Sequence, residues 1–391
     1  MNLAESLNFT ADGLLASTQW LRVTNLLCLI GVLFAGLSAF RHFQMRKVAV
    51  AGGTPSRNLW SGIAVLVLIS ACLIEFLSIW NRGIEVNHFP SQTMSEVLVM
   101  FSWALLVSML VLHFALKLER IGYGWAIVDD ALLILVFLGV VFTNAYTTTL
   151  STAQRDLPPA LQSYWFAPHL SSLIFSYATL GIAGLVAIVY FSMRFWSGVF
   201  VGGRSKTSQI VVLGGLCLVP FAHVVTFPVL LVVGIVFCAL KMFGALPTLD
   251  DLSSAEKTMD QVSYRAFSVG IPFLTAGLFM GAFWAQEAWA NYWGWDSKEN
   301  AALISWLVYV IYIHLRMLGG YRGEKAMAVL AAGALSVFFC FQIFGYLPDS
   351  QKSLHRYTDD DVVPREGQQG KMNATESARA DTGISLETQE R

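Results

Sequence analysis

Eight runs of mostly apolar residues, each long enough to cross a lipid bilayer, dominate this chain of 391 residues. A helix needs about 20 such residues to cross the hydrocarbon core. Only 13% of the residues are charged, whereas soluble domains average about 25%. The runs predict an all-α, polytopic integral membrane protein with about eight transmembrane helices. The predicted spans are 22–40, 60–80, 96–117, 126–146, 169–192, 267–283, 301–318 and 327–346.

A ninth apolar stretch, 209–240, is too long for one span and too short for two. Pro220 and Pro228 interrupt it. Lysine and arginine residues flank it on both sides, and such residues favour the cytoplasm. The stretch should therefore cross the membrane an even number of times, as an apolar hairpin or an extra helix pair.

Basic residues follow the first, third, fifth and seventh of the eight spans. If all four groups are cytoplasmic, both chain termini lie outside. Residues 281–300 then form an extracytoplasmic or lumenal loop. We predict N-terminal transmembrane helices in 1–80, a membrane domain in 81–358, and a disordered extracytoplasmic tail in 359–391, which is polar and poor in aromatic residues.

The formal net charge of −1 argues against a nucleic-acid partner, which would require a basic face. The five cysteines all lie in apolar runs, and no two form a C-x-x-C pair. A thiol-disulfide carrier is therefore not indicated, and small apolar filler residues explain these cysteines better.

The segment 281–300 carries the clearest functional signal, because it contains Trp284, Trp289, Trp293 and Trp295. Tryptophans at a membrane surface often form an aromatic belt, but a belt is spread over many helix ends. A concentrated set of rings suits a flat, conjugated ligand, for which a porphyrin is the obvious candidate. The segment lacks histidine and cysteine, so any axial ligand must come from elsewhere.

Two carboxylates in the same segment have a structural interpretation. Asp296 and Glu299 stand three residues apart just before an apolar run, which is typical of a capping box at a helix start. Direct contact with the ligand is the alternative for both residues. Lys298, between them, would pair either with a carboxylate or with a propionate of a bound haem.

Seven histidines are candidates for axial ligands of haem iron. His169 and His355 are predicted on the same outer side as the tryptophans, either as a clamp around the iron or as ordinary interfacial residues. His314 lies roughly 20 Å into its span, where an ionisable group is a functional hypothesis by default. His113 should lie at a similar depth, as a partner for His314 or as a packing residue. His42 is predicted to be solvated in a basic turn.

Three segments resemble the CcsA (ResC) family of cytochrome c biogenesis proteins. The sequence from Trp284 to Glu299 is similar to the family's tryptophan-rich "WWD" signature. Leu161–His169 with Ser176–Ala178, and His88–Pro90 with Ser95–Glu96, carry the rest of the similarity. Ala290 and Ser297 depart from the signature, which usually has Gly and Pro at these positions.

The resemblance implies that haem crosses the membrane and is presented outside for thioether attachment to an apocytochrome c. The haem would be b-type and bound non-covalently in transit. Its external ligands would be His169 and His355, held against the WWD loop. His314 would belong to an inner haem site whose second ligand comes from a CcsB (ResB) partner, which lowers the case for His113. The chain would then be a component of a cytochrome c synthase complex.

Two other functions compete with this one. The first is haem delivery to a chaperone, as in the WWD proteins of the system I pathway. The second is a di-haem membrane electron-transfer subunit, although the spans contain few histidines for that role. A bacterial plasma membrane and a thylakoid or plastid membrane are both compatible with the sequence.

Overall fold

A computed structural model of the chain describes residues 16–50, 58–116, 123–150, 158–202, 207–218, 223–242 and 246–343. These ranges contain helices and connections but no β-strand. The α-helices are α1 (Ser17–Val50), α2 (Leu59–Val86), α3 (Met94–Leu116), α4 (Tyr123–Thr147), α5 (Phe166–Phe200), α6 (Thr207–Leu218), α7 (His223–Met242), α8 (Leu249–Trp289), α9 (Ser297–Met317) and α10 (Glu324–Phe338). A 3-10 turn (Pro159–Gln162) precedes α5, and a π-helical turn (Phe339–Ile343) follows α10.

Eight of the described helices, α1 to α5 and α8 to α10, are long and apolar enough to cross a membrane. The predicted fold class is confirmed, and the protein is an integral, multi-pass membrane protein. The described residues of the stretch 209–240 form two helices, α6 and α7. Helix α6 has 12 residues and is about 18 Å long, which is shorter than the roughly 30 Å hydrocarbon core.

A buried carboxylate lies among helices α2, α3 and α4. Glu75 is 0% exposed, and it accepts hydrogen bonds from Ser102 Oγ and from Asn144 Nδ2, the latter at 3.1 Å. Such bonds across helices satisfy polar groups that lipid cannot solvate. Glu75 therefore ties three helices of the N-terminal half together.

Helices α5 and α8 run antiparallel and pack closely because α8 presents glycines to α5. A Cβ at Gly277 would lie 2.6 Å from Leu173 Cδ2, and one at Gly270 would lie 2.8 Å from Leu180 Cγ. Small residues allow such close approach between membrane helices. The register of this contact determines where the first turn of α5 meets α8.

Ion pairs join α5, α8, α9 and α10 at the end of the bundle opposite the α8–α9 connection. Arg316 donates to both carboxylate oxygens of Asp260, at 2.8 and 2.9 Å. Arg194 pairs with Glu256 at 3.2 Å and with Glu324 at 3.0 Å. These contacts hold together the four helices that build the site described next.

Candidate functional site: a cleft at the α8–α9 connection

An open cleft lies where α5 begins, α8 ends, α9 begins and α10 ends, and about 510 Å³ of space, including solvent at its mouth, lies between its walls. The walls are mostly apolar, with a few polar side chains. The lining residues are His169, Leu173, Tyr177, Leu278, Gly281, Ala282, Tyr292, Trp293, Lys298, Glu299, Ala302 and Cys340.

His169 lies in the first turn of α5 and lines this cleft. Its Nδ1 is 2.7 Å from the carbonyl oxygen of Gly277 on α8. Since a carbonyl only accepts, this bond places the proton on Nδ1 and the lone pair on Nε2. The imidazole therefore has the tautomer that coordinates a metal through Nε2, in an orientation that the backbone of α8 determines.

The four tryptophans do not form one continuous surface. Helix α8 continues through Trp289, so Trp284 and Trp289 are helical and only residues 290–296 form the connection. Trp284 is 2% exposed, and its ring stacks on that of His169 at 5.5 Å. Its Nε1 donates to the carbonyl oxygen of Ala160 at 2.7 Å. The ring of Trp284 thus packs against His169 and does not line the cleft.

The α8–α9 connection contributes Tyr292 and Trp293 to the wall of the cleft, and α5 contributes Tyr177. The Nε1 of Trp293 is buried and has no hydrogen-bond partner among the described residues. Trp295 is 70% exposed and meets Trp293 edge to face at 6.1 Å. Of the four tryptophans, Trp293 alone is a lining residue of the cleft.

Asp296 and Glu299 form the predicted capping box at the start of α9. Asp296 Oδ1 accepts the backbone N–H of Lys298 at 2.8 Å, and Glu299 Oε2 accepts that of Asp296 at 3.1 Å. Glu299 also accepts the N–H of Gly294 at 2.8 Å. Both carboxylates thus accept hydrogen bonds from the backbone, and the predicted capping box is confirmed.

The two departures from the signature have backbone explanations. Ala290 caps the C-terminus of α8 with φ +57°, in the left-handed region that glycine adopts without strain. Ser297 is the first residue of α9 after the Asp296 cap, the position that proline favours in helices. Glycine and proline would fit these positions for conformational reasons, and neither departure alters a side chain of the cleft.

His314 lies in the last turn of α9, and its side chain is exposed on the surface of the bundle. Its Nδ1 donates to the carbonyl oxygen of Val310 at 2.8 Å. The Nε2 lone pair is therefore available for an external partner. His314 also shares one face of α9 with Ile304, Leu307 and Ile311, which are exposed as well.

Two other histidines are hydrogen-bonded to carboxylates. His42 is 5% exposed, with Nδ1 2.7 Å from Asp130 Oδ2. The prediction that it is solvated was therefore wrong, because Asp130 and Asn58 lie against it. His113 Nδ1 is 2.6 Å from Asp129 Oδ2. This contact favours the packing role of His113 over a pair with His314.

His355 and the predicted tail 359–391 lie outside the described residues. The π-helical turn after α10 reaches the cleft, because Cys340 lines it. The sequence indicated Cys340 only as an apolar filler residue and Tyr177 only as part of the resemblance, since a cysteine and a tyrosine within apolar runs do not by themselves indicate a site.

Comparison with known proteins shows the family to which the chain is related. Residues 91–349 match the family model described as "Cytochrome C assembly protein". The chain is 32% identical over 294 residues to "Cytochrome c biogenesis protein CcsA" of Guillardia theta, covering 74% of this chain and 83% of that protein. It is 28% identical over 380 residues to the protein of that name from Nostoc sp., covering 91% and 99%. The chain belongs to the CcsA family of cytochrome c biogenesis proteins.

Proposed function

We propose that this protein binds haem in the cleft at the α8–α9 connection and presents it for covalent attachment to apocytochrome c. The observation that carries the proposal is the hydrogen bond from His169 Nδ1 to the carbonyl of Gly277, at 2.7 Å, beside the cleft. A histidine held in this way is oriented as an axial ligand through Nε2.

The other polar groups of the cleft suit the remainder of a haem. Lys298 would face the propionates, which are anionic, and the Nε1–H of Trp293 would donate to one of their oxygens. Tyr292 and Trp293 would pack on the macrocycle. Three further residues of the signature do not line the cleft. Trp289 and Trp295 would contribute by packing against Trp284 and Trp293, and Asp296 by capping α9.

We assign the second axial ligand to His355. His355 is the twelfth residue after Ile343, the last described residue, and 12 residues span at most about 40 Å. The chain length therefore permits His355 to approach the cleft from the side of α10.

We further propose an inner site in which His314 and a histidine of a CcsB-type partner ligate haem on its way across the membrane. The exposed side chains of Ile304, Leu307, Ile311 and His314 recur at intervals of three and four residues. This spacing gives one apolar stripe, ending in an imidazole, against which a partner helix can pack.

The reaction needs little chemistry from this chain. Each thiol of a C-x-x-C-H segment adds across a vinyl group of the haem, so that sulfur bonds to one carbon and hydrogen to the other. The contribution of the cleft would be to hold the vinyl groups near the thiols at high effective molarity. The histidine of the cytochrome would then replace one of the two ligands. In this proposal the cleft and the C-terminus lie on the extracytoplasmic or lumenal side.

Complementation tests the proposal. A host whose own CcsA-family gene is deleted, but which keeps its CcsB-type protein, should recover c-type cytochromes when it produces this chain. The measurement is haem staining of denatured membrane proteins, which detects only covalently attached haem. If the chain accumulates with non-covalently bound haem while no cytochrome carries covalent haem, delivery of haem to a chaperone is supported instead. Haem that quinol reduces reversibly would favour electron transfer.

For His314→Ala, we expect the same assay to show loss of covalent haem and little haem on the purified protein, because supply to the outer cleft is interrupted. Ile311→Ala is the matched control, since it removes an exposed side chain from the same face one turn away. Equal effects of the two variants would indicate a packing role for His314.

A further inference from the structure

The stripe of α8 that faces His169 is built around the imidazole. Gly277, Gly281 and Trp284 recur at intervals of four and three residues, so they share one face of the helix. Gly277 supplies the carbonyl that accepts Nδ1–H, at 2.7 Å. Trp284 supplies a ring stacked on the imidazole, with an interplanar angle of 24°. Gly281 lies between them.

Gly281 has no side chain, and this leaves room for the imidazole of His169. A Cβ at this position would lie 2.6 Å from Cε1 and 2.8 Å from Nδ1 of His169. Neither distance is compatible with van der Waals contact, so either the imidazole or the helix would have to move. The atoms in the way belong to a ring that the Gly277 carbonyl and Trp284 already hold, and this ring cannot swing aside without losing both contacts.

We infer that Gly281 is a positioning residue for the axial ligand: it leaves the space in which His169 reaches the Gly277 carbonyl and directs Nε2 toward the cleft. This inference rests on the proposed function. It goes beyond that function because it names the residue on which the orientation of His169 depends. Other helical glycines, such as Gly181, have nothing within 4 Å of an added Cβ and carry no such requirement.

The experiment compares Gly281→Ala with Gly181→Ala in the complete chain, produced with its CcsB-type partner and purified. We expect Gly281→Ala to bind haem on the order of 10-fold more weakly, as for other changes to groups that orient a metal ligand. The low-spin absorption bands should shift toward a high-spin form. Gly181→Ala should match the wild type. If Gly281→Ala keeps the wild-type affinity and spectrum, Gly281 has no positioning role.

A double variant separates positioning from folding. His169→Gly removes the ring that a Cβ at position 281 would meet, so His169→Gly/Gly281→Ala should accumulate as well as His169→Gly alone. With added imidazole, His169→Gly should recover haem binding, whereas the double variant should recover less, because a Cβ at position 281 would meet the imidazole as it meets the His169 ring. Equal recovery by the two variants would overturn the inference. Wild-type protein without haem would refute the proposed function itself, a result distinct from either.

Discussion

Replacing His169 with glycine should abolish covalent haem attachment, and added imidazole should restore part of it. The substitution removes the proposed axial ligand and leaves a hole of its shape between the backbone of Gly281 and the ring of Trp284, which its hydrogen bond to Ala160 holds in place. An imidazole molecule in that hole can again donate to the Gly277 carbonyl and coordinate iron. Haem staining of c-type cytochromes, with and without imidazole, measures both effects.

Ala167→Gly is the control for this variant, because it places a glycine in the same first turn of α5 without touching the cleft lining. It should leave the cytochromes near wild-type levels. If His169→Gly matures cytochromes normally, or if Ala167→Gly fails equally, the ligand role of His169 is refuted.

Replacing Arg316 with methionine should lower the free energy of unfolding by about 3–5 kcal/mol, because it leaves the carboxylate of Asp260 buried without its cation. The two side chains are 5% and 8% exposed, and the pair is bidentate. The remaining contact of Asp260 with the N–H of Gly323, at 3.1 Å, does not compensate for the lost charge. Thermal unfolding in detergent, followed by circular dichroism, measures the change.

Two further variants identify the cause. Lys325→Met removes an exposed cation nearby in sequence and should change stability by less than about 0.5 kcal/mol. Arg316→Met/Asp260→Leu removes both charges and should regain most of the lost stability, since well-packed apolar pairs can replace buried ion pairs. A single variant as stable as the wild type would show that the pair is solvated.

Features set by local sequence were predictable. Hydropathy located all eight spans, because the bilayer imposes a length of about 20 apolar residues. The start of α9 followed from Asp296 and Glu299, since a capping box requires only contacts within one turn. The conformations at Ala290 and Ser297 explain why glycine and proline suit those positions.

Features set by packing between helices were not predictable. Trp284 looked like part of a ligand surface, yet α8 continues past it and buries its ring against α5. His42 looked solvated because arginine and lysine residues surround it in sequence, whereas Asp130 on α4 buries it. The role of Glu75 could not be predicted from its apolar run, because its hydrogen-bond partners come from α3 and α4. Each of these depends on a residue distant in the chain.

Electron paramagnetic resonance of the oxidised, purified protein would report whether His169 ligates haem in the cleft. The wild type should give a low-spin haem signal. His169→Gly should lose that signal or convert it to high spin, and added imidazole should bring it back. An unchanged low-spin signal and unchanged haem content in His169→Gly would show that His169 is not a ligand of the haem.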